Sequence, residues 1–348
     1  YADADGSARD VLHQFNRWPT WMWGNWETTA LVDWLHRHNA SKPRERRVGF
    51  YGLDVYSLWE SLEAITRYLE KADPAALETA REAMACFEPY GRDEQEYARI
   101  TRMVPTSCEQ EVFDMLLEIS RKLPLYNSDP EAVFSTEQNA HIAVNAERYY
   151  RAMVHSGPES WNIRDTHMAD TLERLMHFYG PDAKAIVWEH NTHIGDARAT
   201  DMRRSGYVNV GQLVREQHDA DGVVLVGFGS YKGEVVAARN WGNTPEVMTV
   251  PEARDGSWEE MLHEAELDHH LLLLDDWKQN PHQARQAFDH RAIGVVYNPE
   301  YERFANYVPS ILPLRYDAVI FIDETHALHP LHIEPHGHQV PETYPWGI

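Results

Sequence analysis

Cysteine is almost missing from this chain: Cys86 and Cys108 are the two in 348 residues. Two thiols do not make the disulfide framework of a small secreted domain. A reducing cytosol is therefore the expected compartment, so the chain reads as cytoplasmic. Both thiols fall on helical segments with no evident base nearby and are expected to be inert. Basic charge is scarce too, with 32 Lys and Arg against 55 Asp and Glu and a net charge of −23. That balance repels nucleic-acid phosphates and anionic membranes, and it favours neutral or cationic small molecules as partners. No apolar run approaches the roughly 20 residues of a membrane span, and no signal peptide is visible. There is no Gly-rich phosphate loop. There is no G-x-S-x-G elbow, which disfavours a serine hydrolase of the usual α/β kind. No internal repeat or low-complexity tract appears, and nothing in the sequence speaks to oligomeric state.

What is present is core-forming material. The chain is 43% hydrophobic and carries 12 Trp, 17 Tyr and 10 Phe, enough for one large domain or two ordinary ones. Its organising stretch is 184–198, KAIVWEHNTHIGDAR. An apolar run there turns at once into Glu189, His190, Asn191, Thr192 and His193, then Gly195, Asp196 and Arg198. The run reads as a buried strand with a reactive carboxyl end, the place where open α/β sheets bind ligands.

The rest of the chain repeats that rhythm. Residues 47–56, RVGFYGLDVY, read as a strand ending near Asp54 and Tyr56. Ser57 with Glu60 reads as a capping box, opening a helix whose stripe is Leu58, Leu62, Ile65 and Leu69. Residues 74–156 show only helical pattern, with candidate helices at 75–87, 93–103, 108–123 and 135–156, broken at Pro89 to Gly91, at Pro105 and between Leu123 and Pro130. A further helix over 161–179 takes Asn162 or Asp165 as cap, carries Arg164 near its start and stops at Gly180. Strands are expected at 222–229, 270–274, 293–297 and 318–322, with Glu234 to Arg239 as a hairpin partner, and Ser257 with Glu260 repeats the capping box. The expected fold is α/β, a mostly parallel sheet flanked by helices, with a helical lobe. Residues 1–73 would open the core, 74–156 form the lobe and 157–348 complete the core.

If the strands are parallel, their tips bring reactive side chains to one face. His190 and His193 can then act together, one as general base and the other as orienter or electrophile. Arg164 can stabilise an oxyanion forming on a carbonyl under attack. The rival use of the pair is metal: neutral imidazoles and carboxylates bind divalent ions, although the spacing matches no zincin motif. No cofactor is otherwise expected. Among the other histidines and acids, His269, His270, Asp323 and His326 read as structural.

Six blocks carry a resemblance: GLDVYSLWESL (52–62), WNIRDTHMADTL (161–172), WEHNTHIGDAR (188–198), GFGSYKGEVVAA (227–238), IGVVYNPEYE (293–302) and YDAVIFIDET (316–325). Together they resemble the erythromycin esterase family of the EreA/ChaN-like superfamily. The resemblance spans nearly the whole chain, is specific in the histidine and GLDVYSLW blocks, and is not specific in 74–156. It implies a hydrolase that opens a macrolide lactone ester with an activated water, a phenotype of antibiotic resistance, with His190, His193 and Arg164 as catalytic residues. Asp54, Tyr56, Asn191 and Tyr231 are the expected substrate contacts. One departure stands out. The family's opening GE-x-x-H-type motif and its following Glu-tipped strand, source of the proposed general base, have no match here, and Tyr1 falls just after them. A fragment of a longer polypeptide is therefore expected. The alternatives are a divalent-metal hydrolase built on His190 and His193, and a non-catalytic ligand-binding module.

Overall fold

Helical periodicity settles the first half of the chain. The computed structural model describes residues 7–332 apart from 16, 105, 127–128, 220–221, 266–267 and 280–284. The opening residues 1–6 and the expected break at Pro105 lie outside them. A short α1 (Ala8–Leu12) and the longer α2 (Trp26–Ala40) precede a run of further helices. These are α3 (Leu58–Ala72), α4 (Leu77–Phe87), α5 (Glu94–Met103), α6 (Glu109–Lys122), α7 (Pro130–Met153) and α8 (Glu159–Tyr179). The stripe Leu58, Leu62, Ile65 and Leu69 on α3 is buried, as the spacing predicts. The long helix α7 packs against α3, α5, α6 and α8. Its Ala140, Ala143 and Ala146 are fully buried, and small residues on that face let neighbouring helices approach closely.

The chain then makes α9 (Asn191–Ile194) and α10 (Val210–His218) before the first strand. The strands are β1 (Val226–Ala237), β2 (Glu246–Val250), β3 (His269–Leu273), β4 (Phe288–Arg291), β5 (Tyr307–Ser310) and β6 (Ala318–Thr325). Between them lie α11 (Trp258–His263), α12 (Asp275–Gln279), α13 (Glu302–Ala305) and α14 (Leu312–Arg315). One sheet has the order β2-β1-β6-β3, and β4 pairs with β5 separately. Among the described strands only β1 and β6 pair in parallel; β1–β2, β3–β6 and β4–β5 are antiparallel. The α/β class holds, but the described sheet is mixed rather than mostly parallel. A short return from β1 into β2 can only make a hairpin, whereas a parallel neighbour needs a long crossover. Its core packs Leu225, Trp258, Leu262, Leu312, Tyr316, Val319 and Phe321 together.

Two compact units emerge. One takes the described chain up to Gly52, Glu189–Asp201 and the chain from His218 onward, and so contains the sheet; the other takes Leu53–Trp188 and Met202–Gln217, and so contains helices α3 to α8.

Several expectations need correction. Residues 184–188 are extended but form no strand, and Ile186 is 98% and Trp188 63% exposed. Residues 47–53 likewise pair with no strand, and Val48 and Phe50 are exposed. Apolar composition argues for a strand only when neighbours exist to bury it, and composition does not supply them. Residues 293–297 give an isolated parallel bridge, Ala238 to Val296, rather than a strand. The stretch read as a hairpin partner at Glu234 is the continuation of β1 itself, and the true partner is β2. Ser57 makes no capping bond; its hydroxyl faces Ser61 instead. The helix expected at 161–179 starts at Glu159. Asp165 lies inside it and accepts from the Val210 backbone N–H at 3.1 Å, holding the start of α10. At α11 the cap is real: Ser257 accepts from Glu260 N, although the Glu260 carboxylate returns to Gly256 rather than to Ser257. Cys86 and Cys108 are joined in a disulfide. That overturns the expectation of two inert thiols and with it the argument for a reducing compartment. The helical packing of α4 against the start of α6 brings two cysteines distant in sequence side by side, which spacing could not reveal. No described helix is long and apolar enough to cross a membrane.

Candidate active site

In the sheet-bearing unit, the His190–His193 segment is a capped turn rather than a strand tip. His190 is the N-cap of α9, with extended backbone at φ −64° and ψ 150°. Its Nδ1 accepts from the Thr192 backbone N–H at 3.3 Å and faces the Thr192 hydroxyl at 2.8 Å. Its Nε2 lies 3.0 Å from the Ile293 carbonyl, which can only accept. The hydrogen therefore sits on Nε2, and Nδ1 is the acceptor. Desolvation lowers this imidazole's pKa to about 4, helped by His193, Arg315 and His290 nearby. The residue as a whole is exposed. His193 follows on the same turn and is buried.

The turn is anchored from below. Arg315, buried at the end of α14, donates to the Asn191 carbonyl at 3.1 Å and to Ser310 Oγ at 2.6 Å. Asp196 N returns a bond to the Arg315 carbonyl at 3.0 Å. Gly195 permits this close approach. A Cβ there would stand 2.6 Å from the Tyr316 ring and 2.8 Å from Arg315 Nε. Asp196 itself is taken up locally by Arg198, which donates to it from the backbone, Nε and Nη2.

Sequence reasoning missed three members of this neighbourhood, namely Arg315, His290 and Glu259. Glu259 sits on the helix capped by Ser257, whereas His290 and Arg315 fall on short elements, β4 and α14, that the sequence did not reveal. The one available signal was the adjacent pair His290 and Arg291 at the end of the short strand Phe288–Arg291. Tyr231, an expected substrate contact, lies in the middle of β1 rather than at its tip. It stacks face to face on His263 at 3.7 Å, and His263 Nδ1 is 2.5 Å from Asp323 Oδ1.

The other expected residues lie in the helical unit. Arg164, in the second turn of α8, forks onto Asp54: Nε to Oδ1 at 2.9 Å and Nη2 to Oδ2 at 2.7 Å. Its guanidinium also lies over the Tyr56 ring at 5.0 Å, and the Tyr56 and Tyr149 hydroxyls are 3.3 Å apart. Burial alone would lower the Arg164 pKa, but Asp54 and the two tyrosines outweigh it and raise it, so this cation is permanent. Asp54, Tyr56 and Arg164 are therefore one cluster, which the sequence did not group: there Arg164 stood with His190 and His193.

Next to that cluster His167 is buried between α7 and α8, with Nδ1 2.9 Å from Asn145. Desolvation lowers its pKa to about 4. A histidine held neutral in the fold binds its proton only when unfolded, so its stabilisation is full above about 6.5 and fades as pH falls toward 4. The shift corresponds to at most about 3 kcal/mol. Urea midpoints at pH 7 and pH 4.5 should therefore diverge less in His167→Gln than in the natural chain; equal divergence in both would refute this assignment.

Among the described residues no group of three or more His, Cys, Asp or Glu side chains is placed to hold a metal ion.

The comparisons with known proteins agree with one another. A family profile described as Erythromycin esterase matches residues 1–325. Among solved structures, one described as a succinoglycan biosynthesis protein is 18% identical with a TM-score of 0.69, covering 93% of this chain and 79% of that one. A protein from Bacillus cereus is 17% identical with a TM-score of 0.71, covering 94% and 80%. A mutant of the erythromycin esterase EreC in its open conformation is 14% identical with a TM-score of 0.65, covering 97% and 80%. At these identities the solved structures establish a shared fold.

Proposed function

The chain belongs to the erythromycin esterase family, and on that premise we propose that it is a carboxylic ester hydrolase that opens a macrolide-like lactone by attack of water on the ester carbonyl. The observation that carries the reading is the family match across residues 1–325. We assign His190, His193 and Arg164 as catalytic residues, and Asp54, Tyr56, Asn191 and Tyr231 as substrate contacts.

The tautomer of His190 supports a particular role. A ring with a pKa of about 4 is a weak base at neutral pH, but its Nε2–H is a good neutral donor. A neutral imidazole can polarise a carbonyl without giving up its proton. In this reading His190 exchanges the Ile293 carbonyl for the ester oxygen, and the second imidazole of the turn, His193, serves as the base for water. Arg164, a permanent cation, suits the negative charge that develops on the oxygen under attack. The net charge of −23 favours a substrate bearing a protonated amine.

The test is turnover of a panel of macrolide lactones and simple esters by the purified chain, with product mass followed. The expected product gains one water, and turnover persists with chelator present. Turnover abolished by chelator and restored by a divalent ion would replace this reading with a metal-dependent hydrolase. Calorimetric binding of a lactone without turnover would replace it with a binding module.

A further inference from the structure

Behind the His190–His193 turn lies a buried Glu259–His290 pair that the hydrolase reading does not use, joined to the turn through Asn191. It begins at Glu259 on α11, which is fully buried. Glu259 Oε1 accepts from the Arg291 backbone N–H at 3.0 Å and is 2.5 Å from His290 Nδ1. Its Oε2 is buried without a hydrogen-bond partner. His290, on β4, is 1% exposed. The other nitrogen of that ring, Nε2, lies 3.4 Å from Asn191 Nδ2. Asn191 in turn donates from Nδ2 to the Phe228 carbonyl at 2.6 Å and accepts at Oδ1 from Phe228 N at 3.1 Å.

The orientation of each group follows from its neighbour. The Phe228 backbone fixes which end of the Asn191 amide is which, because its N–H can only donate and its C=O can only accept. The Asn191 NH2 group therefore faces His290, and His290 Nε2 must be the acceptor. The ring hydrogen then sits on Nδ1 and is given to Glu259, as a carboxylate commonly fixes an imidazole tautomer. Phe228 lies on β1 beyond the stretch that pairs with β2, so the Asn191 side chain occupies a ladder position that no strand fills. The first residue of α9 is thereby clamped onto the sheet, with a catalytic histidine before it and another two residues after it.

We propose that Glu259 and His290 are positioning residues. They fix the Asn191 amide, and through it the catalytic turn, in the orientation ester hydrolysis needs. The inference rests on the hydrolase reading for its kinetic consequence, but not for its geometry. A buried carboxylate with one oxygen left over is an expensive arrangement for mere packing, and an apolar pair would fill the same space. Misorientation of a reacting group by about 1 Å can cost on the order of 100-fold in rate.

The experiment compares His290→Phe, His290→Gln and Glu259→Gln in the full chain. His290→Phe removes the acceptor facing Asn191, whereas His290→Gln offers an amide oxygen there. The expected result is a fall in kcat of about 10- to 100-fold for His290→Phe with KM little changed, and recovery of most of that loss in His290→Gln. Glu259→Gln should fall between the two. Unaltered kcat in a folded His290→Phe chain overturns the proposal, as does equal loss in the Phe and Gln variants. Nitrogen-15 spectra of the histidine-labelled natural chain supply the arm that needs no turnover. They should show an Nδ1–H histidine signal that is absent from His290→Gln; an Nε2–H tautomer for that residue also overturns the proposal. If the natural chain hydrolyses no ester, the hydrolase reading fails, and the spectra alone decide whether the Glu259–His290–Asn191 chain is set as described.

Discussion

His190→Asn is expected to lower kcat/KM for an ester by about 10²- to 10⁴-fold while leaving the fold in place, the range typical of losing a positioned acid–base or oxyanion-stabilising group. Asparagine is chosen because of what His190 does locally. Its Nδ1 caps α9 by accepting from the Thr192 backbone N–H, and Asn is among the best N-cap residues. The substitution therefore keeps the cap and removes the imidazole. Thermal midpoints of the two chains should agree within a few degrees. The pH profile carries a second expectation. With its pKa lowered to about 4, His190 stays neutral throughout the range from 5 to 8. Its contribution should change only as pH falls through about 4, when Nδ1 gains a proton and can no longer accept from the Thr192 N–H. An inflection near 6.5 in the natural chain that vanishes in His190→Asn would contradict the neutral-donor role.

Arg291→Met is expected to destabilise the sheet-bearing unit by about 3–5 kcal/mol, the usual cost of removing one partner from a buried ion pair. Arg291 is 5% exposed, and its Nε donates to Glu302 Oε1 at 2.7 Å. Its two terminal nitrogens reach the Ser230, Tyr231 and Pro251 carbonyls at 2.8–2.9 Å. One guanidinium thus satisfies a buried carboxylate and three carbonyls. Methionine fills the volume and none of the bonds, so Glu302, itself fully buried, would be stranded. Removing both partners in Arg291→Met with Glu302→Leu should cost less than the single change, because no stranded charge remains. Urea denaturation of the natural chain, both single variants and the double variant measures the coupling. Additive losses would show that the pair is not coupled in the way its geometry implies.

The helical half was legible because its signal is local. The stripe Leu58, Leu62, Ile65 and Leu69 is a period of three to four written in adjacent turns, and burial of one side follows from it. The capping serine at Ser257 was legible for the same reason. What failed was whatever depends on a distant partner. Residues 47–51 and 184–188 have strand-like composition, but a strand is a relation between two segments, and neither run has a ladder partner among the described residues. The disulfide between Cys86 and Cys108 is likewise a matter of helix packing, invisible from two isolated thiols.

The two residue clusters divide along the same line. His190, Asn191 and His193 stood out because two imidazoles and an amide are dense in one short segment. Arg164 and Asp54 were singled out separately, 110 residues apart, and the structure joins them by a fork. Glu259, His290 and Arg315 escaped notice because nothing in their spacing marks them as buried. Their meaning lies in hydrogen bonds that cross from one element to the next, Arg315 to Asn191 and His290 to Glu259. A buried polar residue is a demand for a partner, and the sequence states the demand without naming who meets it.

The most direct measurement is lactone opening in water enriched in heavy oxygen, with the product carboxylate examined by mass spectrometry. If water is the nucleophile, one heavy oxygen enters the new carboxylate at each turnover, and incorporation falls with rate in His190→Asn. A product formed without incorporation, or a lactone left intact by the natural chain, would contradict the account.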